Sequence, residues 1–178
     1  MNLPTLRKES IKTMPDFFTT YIDRCPDVPL LPLLTETQHV EELISVELLQ
    51  SHRNYAYADT KWTVAQVLQH MIDTERIFAY RALRFARNDQ TPLPGFDEQL
   101  YGTNAPVNHR TIEDLLEEFT LVRRSTLMLF TNFPADAYAR IGTANGCTID
   151  VLAIGFAAAG HVLHHIAVLK ERYFMNQL

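Results

Sequence analysis

The chain has 178 residues, 47% hydrophobic and 21% charged, which suits one domain with a substantial core and is short for two. A formal charge of -5 with no concentrated Lys/Arg run argues against a nucleic-acid ligand, and two distant cysteines, Cys25 and Cys147, argue against a disulfide framework or a CxxC zinc site. No signal-peptide pattern appears, nor any uncharged apolar run near the roughly 20 residues that span a bilayer, so the expectation is a soluble, cytoplasmic protein that avoids membranes.

In chain order, a short helix is expected around Asp16 to Asp23, followed by the proline-marked "CPDVPLLPLL". Residues 1–34 thus read as a lead-in to a bundle over residues 35–174, all within one domain spanning residues 1–178. The first long helix is predicted from Glu36 to Gln50, because Thr35 with Gln38 three residues on has capping-box spacing. Thr63 and Gln66 repeat that spacing and open a second helix running to about Arg87. The stretch from Asn88 to Arg110 is far longer than the turn joining antiparallel neighbours, so it crosses the bundle and leaves two successive helices parallel. Phe96 and Tyr101 in this crossover are placed to roof a pocket.

The third helix, Ile112 to Phe130 behind the N-cap Thr111, carries Leu115, Leu116, Phe119, Val122 and Leu129 near one stripe. A fourth follows "NGC" and Thr148 and runs from Ile149 to about Tyr173, with Lys170 and Arg172 complementing the dipole at its end. With no sustained strand alternation around hairpin signals, the expected fold is all-α: a four-helix bundle, up-down-down-up, with one long crossover.

The chemistry concentrates in histidines. His161, His164 and His165 fall within "GHVLHH", and spacings of three and four residues let either His164 or His165 join His161 on one ion. A zincin HExxH motif is excluded, because Val162 stands where that motif has glutamate. His70 supplies a third imidazole, two turns into the second helix among Val67, Leu68, Met71 and Ile72. At about 1.5 Å per residue it meets the depth of His161 and His165 only if the second and fourth helices run antiparallel. By periodicity Val67, Thr74, Ile77 and Arg81 share the face of His70, and Ile154, Ala157, Ala158 and Val168 share that of His161. A single apolar-face histidine is more often a hydrogen-bonded core residue. Three buried together without partners are costly, however, and neutral imidazole is the commonest metal ligand.

The stretches "KWTVAQVLQHMIDTERIFAYRALRFARNDQTPLPGFDEQLY", "LLEEF", "GTANG" and "GHVLHHIAVLKERY" together resemble the DinB/YfiT-like superfamily of metalloenzymes. The resemblance implies a four-helix bundle holding zinc or nickel through His70, His161 and His165. It also implies chemistry that is most often thiol S-transfer with a low-molecular-weight thiol, with isomerases and hydrolases among other members. The expected partners are therefore a small-molecule thiol and an electrophile. A metal-dependent hydrolase and a non-catalytic metal-binding stress protein are the alternatives. Asp73, Glu75 and His164 are weak candidates for orienting ligands or accepting a proton, and Cys147, read as lying near a helix start, for a nucleophile. Leu68, Ile72, Ala79, Leu83 and Ala86 on the far side of the second helix suggest a homodimer.

Overall fold

The computed structural model describes residues 6–105 and 107–175, so the first residues of the expected lead-in and the last of the single-domain span lie outside it. In chain order the elements are α1 (Thr19–Ile22), α2 (Leu30–Glu36), α3 (Val46–Ser51), α4 (Val64–Ala86), α5 (Glu98–Asn104), α6 (Ile112–Thr131), the strands β1 (Ile141–Ala144) and β2 (Cys147–Asp150), and α7 (Val151–Val168). The chain continues from α7 into a wider helical turn over Leu169–Tyr173.

The long helices begin where side chains satisfy their first backbone donors. Thr63 and Gln66 form a complete capping box at α4, and Thr111 with Asp114 forms one at α6. The carboxylate of Asp150, buried to 1% exposure, caps α7 by accepting from Ala153 N at 2.7 Å. Its other oxygen accepts from the backbone of Lys12 and Thr13, tying the N-terminal segment to the start of α7.

Helix directions follow from which ends share a core. Val64 to Ile72, at the start of α4, pack with Ile112, Leu115 and Phe119 at the start of α6, and with Val162, Ile166 and Tyr173 at the end of the last helix. Phe78, Ala82 and Phe85, toward the end of α4, pack instead with Phe130 and with Leu152 to Ala159. Thus α4 and α6 run parallel and α7 antiparallel to both. The chain from Leu30 in the second cluster to Leu49 in the first supplies the remaining upward leg, giving the up-down-down-up bundle with its crossover.

Three details depart from the sequence reading. The first leg is two short helices with a 3-10 turn at Val40–Glu42 between them, not one helix from Glu36 to Gln50. Helix α2 starts behind Pro29 and tolerates Pro32 because the missing N–H falls in the first turn. Thr35 therefore lies inside α2, where its hydroxyl donates to Leu31 O at 2.9 Å, and the N-cap of the second piece is Ser45. The second departure is an antiparallel hairpin before α7. Asn145 and Gly146 both have positive φ, 51° and 73°, the backbone of a two-residue type I′ loop. Cys147 consequently sits on β2, not at a helix start, and Thr148 is not the cap of the fourth helix. The third is a short helix, α5, inside the crossover.

Contrary to the sequence reading, the segment Val151–Tyr173 is long and apolar enough to cross a membrane, with a mean hydropathy of 1.7 over an 18-residue window, but 72% of that window is buried inside the fold. It is the core helix of the bundle. Of the far-side residues of α4, Leu68, Ile72 and Ala86 are buried within this chain, Ala79 is half-buried and Leu83 is exposed.

Candidate metal centre

Antiparallel packing of α4 against α7 brings His70 level with His161 and His165, although His70 lies 91 residues from His161 along the chain. His161 Nε2 lies 2.9 Å from His70 Nε2 and 3.0 Å from His165 Nε2, and the three ligand atoms all fall within 4.8 Å of one another. Two bonds of about 2.1 Å to one ion span at most about 4 Å, so the two short separations suit a shared cation. Burial pushes His70 down to about 4, and His161 and His165 well below the ordinary imidazole value, with the neighbouring imidazoles adding to the shift. Each ring is therefore held neutral, and a neutral imidazole with its proton on Nδ1 turns an Nε2 lone pair toward the other two. That donor set fits a divalent ion.

The rings are held by close neighbours. The Trp62 ring lies 4.6 Å from that of His70, and Tyr21 stands edge-on to His161 at 5.2 Å. A Cβ on Gly160 would come within 2.2 Å of the Tyr21 carbonyl oxygen, so the glycine before His161 is what allows α1 to seat against α7. Ala157, Ala158 and Ala159 are buried in the core with Leu30 and Phe130. They serve close helix approach rather than leaving room beside the histidines.

The weak candidates separate. His164 lies edge-on to Tyr21 at 5.4 Å, half-buried, and takes no part in the converging trio. Asp73 accepts from Gln69 Nε2 at 3.0 Å within a surface network of Arg76, Arg110 and Glu118 linking α4 to α6. Three residues from His70 on the helix, its carboxylate points toward α6 and away from the imidazoles. Glu75 is turned still further, by about 140° at 100° per residue, and pairs with the buried Arg123.

Two cavities meet at the histidines and share Tyr21, His70 and Glu98. The larger, of 430 Å³, runs along α4 past Thr74, Phe78 and Arg81, with Phe96 and the N-terminal Phe18 among its walls. Phe96 thus roofs a pocket as expected, while Tyr101 backs it at 5.2 Å between ring centroids and is itself exposed. The smaller, of 320 Å³, is bounded by Tyr57, Trp62, His164 and His165. Thr74 and Arg81 were placed on the face of His70 by periodicity. Tyr21 and Trp62 had no such signal, because their approach depends on tertiary packing.

Comparison with known proteins places this geometry in context. The DinB superfamily family model matches residues 35–169. A solved structure similar in fold is YfiT from Bacillus subtilis, described as "a probable metal-dependent hydrolase with an unusual four-helix bundle topology". The two chains are 16% identical, each covered over 91%, with a TM-score of 0.59. No curated protein sequence matches significantly.

Proposed function

The chain belongs to the DinB superfamily, and from that premise we propose that it is a divalent-metal-dependent enzyme of the thiol S-transferase type, its ion held by His70, His161 and His165. The observation that carries the reading is the convergence of three neutral imidazoles, those of His70 and His161 buried and that of His165 half-buried, at the junction of two cavities. Zinc and nickel both suit an all-imidazole set. Bound there, such an ion lowers the pKa of a coordinating thiol or water and so makes a nucleophile available at neutral pH.

The protein's own residues supply positioning. Trp62 and Tyr21 restrain the ring planes and exclude water from two sides of the histidine cluster. Two cavities opening on one centre suit a reaction between two substrates, one a low-molecular-weight thiol and the other an electrophile. His164 and Glu98 border the smaller cavity and are placed to accept a proton released there. Hydrolysis, needing one organic substrate and water, is the second reading, favoured by the likeness in fold to YfiT.

The test is metal analysis of protein purified without a histidine tag, beside His70→Ala, His161→Ala, His164→Ala and His165→Ala. Stoichiometric metal in the wild type and His164→Ala, and loss in the other three, is the expected pattern. Retention in His70→Ala overturns the interhelix site. Consumption of thiol with a model electrophile, against release of acid from an ester or amide panel, then separates transfer from hydrolysis. Failure of both with metal bound indicates a metal-binding protein without turnover.

A further inference from the structure

The larger cavity contains two polar groups that the metal site does not use. Thr74 lies one turn beyond His70 on the same face of α4; it is 4% exposed, and its hydroxyl is buried without a hydrogen-bond partner among the described residues. Arg81 lies eleven residues beyond His70, within about 20° of the same direction, so that the backbone positions are about 16 Å apart along the helix. No carboxylate comes within ion-pair reach of its guanidinium among the described residues. Its contacts there are a long one to Pro94 O, at 3.5 Å, and the face of Phe96 at 5.9 Å. The two acids that border the cavity are placed elsewhere: Asp97 caps α5 by accepting from Leu100 N, and Glu98 stands by Tyr21 at the histidine end.

Most of the wall between the histidines and Arg81 is aromatic or aliphatic, from Phe18, Phe78, Phe96 and Ile154, with Asn145 as a further neutral polar side chain in the lining. An unpaired, partly desolvated guanidinium at one end of an apolar slot is costly unless an anion joins it, and its planar fork matches an oxyanion in two contacts. A buried hydroxyl midway offers one further hydrogen bond.

We propose that the larger cavity binds an elongated, largely apolar molecule ending in an oxyanion, with the oxyanion on Arg81, a polar atom of its body on Thr74 and its other end at the histidines. This names a substrate class for the site proposed above and rests on that reading for its reactive end alone. The anion contact belongs to Arg81 and is independent of any ion on the histidines.

The experiment measures binding of phenylpropanoate, phenylbutanoate and phenylhexanoate, the uncharged phenylhexanol, and phenylhexyl phosphate by titration calorimetry. Wild type, Arg81→Gln, Arg81→Lys and Thr74→Val are compared, each with and without metal, with thermal unfolding as a folding control. The expected result is that affinity rises with chain length and that phenylhexanoate or the phosphate binds at least about tenfold more tightly than phenylhexanol. Arg81→Gln then abolishes that preference without weakening phenylhexanol, and Arg81→Lys restores part of it. Thr74→Val leaves these probes, which carry no polar atom along their bodies, unchanged, and weakens a phenylhexanoate bearing a mid-chain ketone severalfold. The stronger of the two anions identifies the oxyanion as carboxylate or phosphate. Equal binding of acid and alcohol by the wild type, a preference unchanged in Arg81→Gln, or no binding of any probe overturns the proposal. If the histidine variants retain metal while the Arg81-dependent preference persists, the metal assignment has failed and the anion assignment stands.

Discussion

Replacing Glu75 by Leu removes one half of an ion pair that is sealed from water. Arg123 is 0% exposed and Glu75 2%, with Arg123 Nε 2.8 Å from Glu75 Oε1. Arg123 also donates to the second Glu75 oxygen, to Thr37 Oγ1 and to Ala158 O, joining α4, α6, α7 and the end of α2 at one guanidinium. Leucine fills similar space but leaves the cation without its counter-charge, a change that in buried pairs costs about 3–5 kcal/mol. For a chain of 178 residues this corresponds to a fall in melting temperature of about 6–20 °C. The assay is urea unfolding followed by circular dichroism, with metal content of the folded protein measured alongside. Glu75→Leu combined with Arg123→Met should lie well above the sum of the two single losses, because the second change removes the uncompensated charge. If Glu75→Leu stays within about 1 kcal/mol of wild type the reasoning fails, and if it also loses metal at that stability Glu75 belongs to the metal site.

Acid should destabilise the metal-free protein through its histidines. His70 is held at about 4 in the fold against 6.5 ordinarily, so between these values the unfolded chain binds a proton that the folded chain does not. Stability therefore falls as pH drops through that window, by about 3 kcal/mol from His70 once below pH 4, and His161 and His165 act in the same direction. Urea midpoints that stay flat from neutral pH to about pH 4.5 would refute this. Gly160→Ala places a methyl against the Tyr21 carbonyl and should destabilise by at least about 1–3 kcal/mol while speeding amide exchange in α1. Gly146→Ala meets no atom within 4 Å but keeps a φ of 73°, so its loss should be smaller, about 1 kcal/mol, and confined to the hairpin by exchange. Comparable losses at the two glycines would contradict the distinction between collision and backbone strain.

The parts of this fold that were legible in sequence are those determined by local chemistry. The capping-box spacing at Thr63 and the N-cap at Thr111 placed the starts of α4 and α6, and the length of the crossover gave their parallel direction. Simple rise per residue then brought His70 level with His161 and His165. The same local rule failed at Thr35, where the spacing is present but Pro29 and Leu30 begin the helix earlier, so the threonine meets a carbonyl inside α2. Asn145-Gly146 is a strong hairpin signal, yet the four-residue strands beside it are too short for alternation to show. Asp73 and Glu75 were attractive as carboxylates near His70, but their angular offset hands both to arginine partners facing α6. Tyr21 could not be foreseen, since it reaches His161 only through the close contact at Gly160.

That contact has a consequence for how this architecture can diversify. The histidines stand on α4 and α7, within residues 35–169 of the superfamily match, whereas Pro15, Phe17, Phe18 and Tyr21 come to the larger cavity from before it. One wall of the larger cavity is thus carried by a stretch of chain separate from the histidines and joined to their part of the fold at Asp150 and Gly160, while Thr74, Phe78 and Arg81 line it from α4 itself. Exchanging the segment around α1 for another of equal backbone fit would recut the shape of the cavity while leaving the imidazoles where they are. Under the function proposed above, that wall is a replaceable lining: it would tune which molecule fits without displacing the histidines.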